Sequence, residues 1–146
     1  MKSFPLQTLL DLSNARMDDA ARQLGQLLAS EQAVEQTLAL LIQYRDEYES
    51  RFSQAARNGM ARDEWRNYRS FLGRLDEAIA QQRALVDASR LRTADGQKAW
   101  LDQRNKVKAF DTLSQRHKEN EVRIEAKTEQ REQDEHAAKG FRGREE

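Results

Sequence analysis

The sequence predicts an all-α protein, a long two-helix antiparallel coiled-coil hairpin whose second helix is longer and overhangs the first. Three observations predict this. Apolar residues recur at alternating steps of three and four along two long stretches, the repeat of one helix face. Between these stretches lies a single turn signal, Asn58-Gly59, two residue types that tolerate the left-handed backbone with which a helix ends and the chain turns back. The composition is thin in apolar residues, at 38%, and rich in charge, at 34%, which suits a narrow seam rather than a thick core.

Helix one is expected over about residues 4–57. Ser3 is a candidate N-cap, with Phe4 and Pro5 in the first turn, where a missing N–H costs little. With Leu10 as heptad position a, the a positions are Leu10, Met17, Leu24, Glu31, Leu38, Arg45 and Phe52. The d positions are Leu6, Ser13, Ala20, Leu27, Val34, Leu41, Tyr48 and Ala55. The frame runs without a stutter, and only Ser13, Glu31 and Arg45 are polar in it.

The link is Arg57 to Arg62, and helix two is expected over about residues 62–138. Asp63 and Glu64 suit the positive end of its dipole, although no strong N-cap precedes them. With Trp65 as a, that row continues through Leu72, Ile79, Val86, Thr93, Trp100 and Val107. The d row is Tyr68, Leu75, Gln82, Ser89, Gly96, Gln103 and Phe110. Gly96 costs a helix about 1 kcal/mol, but no neighbouring residue signals a turn.

Folded at the link, residues whose numbers add to about 120 lie opposite each other, and every a meets a d, as an antiparallel pair requires. Sizes then complement: Ala55 faces Trp65, Ala20 faces Trp100 and Leu24 faces Gly96. The flanking e positions pair Glu35 with Arg83 and Glu49 with Arg69. One layer, Glu31 against Ser89, is polar and reads as a register-setting defect in a thin seam. From about Ser114 the seam loses its apolar residues. His117 and Glu121 stand at core positions with no remaining chain of helix one expected opposite them. Gly140 and Gly143 predict a frayed tail over 139–146.

The chemistry is as informative by what is missing. There is no cysteine, hence no disulfide or thiolate metal site. There is no glycine-rich phosphate loop, and His117 and His136 lack a ligand spacing. The acidic residues have basic neighbours at helical spacing and read as a solvated face. No catalytic residue, metal site or cofactor is therefore expected. Zero net charge, from 25 basic and 25 acidic residues, argues against nucleic acid as a partner. No apolar run approaches the ~18 residues of a membrane span. The N-terminus does not read as a signal peptide, so a cytoplasmic location is expected.

One flank stands out. Tyr44 in helix one, and Phe71, Ala78 and Leu85 in helix two, are g positions, and the two g rows of an antiparallel pair share one side of the seam. Tyr44 is thus expected near Phe71 and Ala78, beside Leu41, Tyr48 and Leu75. The other flank carries Arg69, Asp76, Arg83 and Arg90. Aromatics at g exceed what a two-helix seam needs and point to a partner, against the simpler reading that they thicken a narrow core.

Several stretches resemble the flagellar export protein FliJ family: Leu9 to Leu12, Asp18 to Gly25, Leu41 to Tyr48, Asn58 to Ala61, Trp65 to Leu72 and Leu75 to Ile79. The resemblance covers roughly residues 4–117. It implies a non-enzymatic part of the flagellar type III export apparatus, similar to the central stalk of rotary ATPases. The implied partners are the export ATPase FliI, the export gate protein FlhA and export chaperones, with peripheral association at the inner membrane through the gate. The family's gate-binding cluster matches Leu41, Tyr44, Tyr48, Phe71, Leu75 and Ala78. Thr37 and Gln82 stand at its outer positions, where the resemblance leads one to expect other polar residues. The ATPase-binding stretch matches Met17 to Gly25, with Asp18, Asp19 and Arg22 as surface contacts. A monomer is expected; the alternative is a homo-oligomeric coiled-coil spacer or general chaperone.

Overall fold

A computed structural model of the chain describes residues 2–145. It holds two helices, α1 (Gln7–Arg57) and α2 (Arg62–Glu145), paired antiparallel as a two-helix hairpin. Asn58 N–H donates to the Gln54 carbonyl at 3.2 Å and Gly59 N–H to the Ala56 carbonyl at 3.4 Å, closing the last turn of α1. Gly59 then takes φ +93°, a conformation that a side chain would strain. The Ala61 carbonyl accepts the first bond of α2, from Trp65 N–H at 3.0 Å.

The helix ends differ from the sequence reading in two places. α1 begins at Gln7, not near residue 4. Pro5 disfavours helical backbone at the residue before it, so Phe4 to Gln7 form a turn, closed by Gln7 N–H on the Phe4 carbonyl at 3.1 Å. Leu6, not Ser3, then supplies the carbonyl for the first helical bond, from Leu10 N–H. At the other end α2 continues through Gly140 and Gly143 to Glu145. A glycine lowers helix stability by about 1 kcal/mol but does not break a hydrogen-bonded run as proline does. Met1 and Glu146, at the ends of the expected coiled coil and tail, lie outside the described residues.

The chain divides into two compact units. One spans 19–100 and contains the turn. Its seam buries Ile79, Val86, Ser89 and Thr93, and it follows the expected register: Phe52 meets Tyr68 with ring centroids 5.5 Å apart, and Tyr48 meets Phe71 at 4.4 Å. Gly96 lies under α1 so closely that an added Cβ would fall 2.5 Å from Leu27 Cδ1 and 3.8 Å from Leu24 Cδ1. Two polar seam residues bond to backbone. Thr93 Oγ1 donates to the Ser89 carbonyl at 3.1 Å, and Gln82 Nε2 donates to the Val34 carbonyl of the opposite helix at 3.0 Å. Ser89 is 2% exposed, while Glu31 turns from it towards Arg90, at 3.8 Å.

Two details of this unit depart from the sequence reading. Trp65 is not packed away against Ala55; it is 45% exposed. α1 ends two residues beyond Ala55, so the indole has a partner on one side only, and the Arg69 guanidinium covers it at 5.3 Å. The expected flank pairs also change hands. Glu35 receives Arg90 at 3.1 Å, not Arg83. Glu49 pairs with Arg45 of its own helix, not with Arg69. Arg45 reaches across to Asp76 at 2.8 Å. That hydrogen bond, with the charges of Asp76, Glu49 and Asp46, holds the Arg45 guanidinium above its ordinary pKa. These pairs are solvent-exposed and influence register more than stability.

The other unit joins residues 2–18 to 101–145. Leu10 and Ser13 of α1 and Val107 and Ser114 of α2 are buried in it. His117 is not without a partner there. The segment ahead of α1 reaches it, with Phe4 at 5.7 Å between ring centroids and the Lys2 carbonyl accepting from Nε2 at 3.2 Å. Beyond Glu121 the seam ends, and the side chains of residues 122–143 are all exposed.

Candidate docking site

Four of the six expected gate-cluster residues surround one surface groove. Tyr44, Tyr48, Phe71 and Leu75 line it, with Glu47 and Arg51 at its rim, and it encloses about 220 Å³. The helical steps place them. Tyr44, Tyr48 and Arg51 share one face of α1, and Phe71 and Leu75 lie one turn apart on α2. Tyr48 is the internal support: its ring meets Phe71 at 4.4 Å and Tyr68 at 5.1 Å. Tyr44 and Phe71 lean outward, 56% and 40% exposed. Leu41 and Ala78 are half-buried beside the groove without lining it.

Glu47 and Arg51 escaped the sequence reading. Arg51 had a signal, since it occupies the same g row as Tyr44, seven residues on. Of the two outer positions, Gln82 is committed to the seam through its bond to Val34, and Thr37 Oγ1 donates to the Ala33 carbonyl at 3.1 Å.

Asp18, Asp19 and Arg22 are exposed on α1. Asp18 falls in one compact unit, and Asp19 and Arg22 fall in the other. Arg22 pairs with Asp19, three residues earlier on the same helix. Among the described residues no group of three or more His, Asp or Glu side chains is placed to hold a metal ion. No helix among them is long and apolar enough to cross a membrane.

Fold and groove together define a two-helix antiparallel hairpin with an aromatic recess on one flank. The chain belongs to the flagellar FliJ protein family, whose model matches residues 1–146. It is 33% identical over 132 residues to the flagellar FliJ protein of Salmonella typhi, and 30% identical over 132 residues to that of Escherichia coli K12, covering 90% of each chain. Its fold is similar to the solved structure of CT670 from Chlamydia trachomatis, described as a YscO homolog. The TM-score is 0.73 at 17% identity, over 92% of both chains.

Proposed function

We propose that this chain, a flagellar export component by its family, acts without catalysis as a stalk-like adaptor. It couples the export ATPase FliI to the export gate protein FlhA and escorts export chaperones. The gate docks on the flank of Leu41, Tyr44, Tyr48, Phe71, Leu75 and Ala78. The ATPase meets Asp18, Asp19 and Arg22 on α1. The chain works in the cytoplasm and reaches the inner membrane peripherally, through the gate.

The observation that carries this reading is the groove. Tyr44 and Phe71 stay half exposed above a packed Tyr48, whereas aromatics that only thickened the core would turn inward. Large, rigid aromatic side chains around a recess are the usual anchors of protein interfaces. The test is a pull-down with purified FlhA and FliI, read beside light scattering of the chain alone. Retention of both by a monomer supports the adaptor. A stable dimer that retains neither supports the coiled-coil spacer instead.

A further inference from the structure

The closed end of the hairpin carries a second recess, which shares no lining residue with the aromatic groove. Ala56, Met60, Arg62, Trp65 and Arg66 line this open recess, which has a volume of about 430 Å³. Trp65 holds a seam position yet is 45% exposed, because α1 stops before it can cover the ring. Arg62 and Arg66 lie one turn apart on α2, so both line the same recess. Arg57, the last residue of α1, stands at the same end of the hairpin.

The arginines at this end are available to a partner. Arg22, Arg45 and Arg90 are each committed to a carboxylate. Among the described residues, Arg57, Arg62 and Arg66 make no side-chain ion pair or hydrogen bond. A guanidinium matches a carboxylate in a planar, two-bond geometry, and the indole of Trp65, 45% exposed with the Arg69 guanidinium 5.3 Å from its centroid, offers apolar surface to a large apolar side chain.

We propose that this tip docks an acidic peptide segment of another protein, one that sets Asp or Glu beside Leu, Phe or Trp. The carboxylate lies between Arg62 and Arg66, and the apolar side chain enters the recess over Trp65. Concavity and local charge favour a peptide over a bilayer. A membrane meets the whole end as a plane, where Asp63 and Glu64 in the first turn of α2 offset the arginines. A single carboxylate in the recess first meets the arginines that line it. The proposal does not depend on the aromatic groove.

The test is an array of random heptapeptides probed with the full chain. Retained peptides should pair an acidic residue with a large apolar one, and added salt should weaken their binding. Arg62→Gln with Arg66→Gln should lower their affinity at least ~10-fold, because charge-assisted hydrogen bonds are lost, while far-UV circular dichroism stays unchanged. Tyr44→Ala should leave the same affinity intact, which separates this site from the flank. The proposal fails if no peptide is retained, if those retained lack acidic residues, or if the double arginine variant binds them equally well. It also fails if phosphatidylserine vesicles, rather than peptides, are what the two arginines hold.

Discussion

Tyr44→Ala is the substitution that best separates docking from packing. Tyr44 is 56% exposed, so folding removes less than half of its side chain from water. Full burial of a large apolar side chain stabilises by ~1.5–3 kcal/mol, so the partial burial of Tyr44 contributes roughly 0.7–1.3 kcal/mol. No ring contact or hydrogen bond of Tyr44 adds to that among the described residues. Phe71 is a poorer probe. It is less exposed, and its ring against Tyr48 contributes a further ~0.5–1.5 kcal/mol, so losses of fold and of binding would mix. An aromatic anchor at an interface typically costs ~2 kcal/mol or more when truncated, which is about 30-fold in affinity. Tyr44→Ala should therefore lower FlhA affinity by at least that factor in a calorimetric titration, with a loss of roughly 1 kcal/mol in urea unfolding. A stability loss matching that of Ile79→Ala would instead make Tyr44 a core residue. A gate affinity within about twofold of wild type would refute the docking site.

Ile79, 8% exposed in the seam, should cost ~2–5 kcal/mol on truncation to Ala, measured by the same urea titration. Gly25→Ala and Gly73→Ala should each stabilise by up to about 1 kcal/mol, since an added Cβ meets nothing within 4 Å at either position. Gly96→Ala should gain less, because Leu27 must shift to admit the methyl. Reversing charge at Asp18, Asp19 and Arg22 should weaken capture by FliI and leave helicity intact, because all three side chains are exposed. Deleting residues 122–146 should leave the thermal midpoint nearly unchanged, since the side chains of 122–143 cover no other part of the chain.

Register was legible because it is written in side-chain volume. Only one antiparallel alignment sets Gly96 beneath leucines of α1 and Phe52 against Tyr68, and the structure holds both contacts. Charge partners were not legible to the same degree. An arginine can reach acids on two helices, and the alternatives differ by less than the ~1 kcal/mol an exposed pair contributes. Arg90 therefore takes Glu35, with Glu31 close by, and Arg45 takes Asp76 and Glu49. Heptad position misled at both extremes for a related reason. It gives the direction of a side chain but not whether a neighbour exists there. Trp65 points at a helix that has nearly ended. His117, expected to face nothing, is met by Lys2 and Phe4 from a segment outside the heptad frame.

The flank follows from the same geometry with one addition. Counting g positions located Tyr44 and Phe71 because a two-helix seam has no use for an aromatic there. Apolar patterning does not reveal Arg51, which shares the g row of Tyr44, or Glu47, one turn from Tyr44, yet both line the groove. The two charged residues alter what the groove selects. An apolar floor alone would accept any hydrophobic side chain. A floor of Tyr44, Tyr48, Phe71 and Leu75, rimmed by one anion and one cation, favours an apolar anchor flanked by charges of the opposite order. Like-charge contacts at the rim penalise other arrangements. If the gate docks as proposed, aromatic contacts would account for affinity, and Glu47 and Arg51 for orientation and partner choice. On that division, exchanging the rim charges, Glu47→Arg with Arg51→Glu, should alter which gate sequences bind while leaving the aromatic anchors in place.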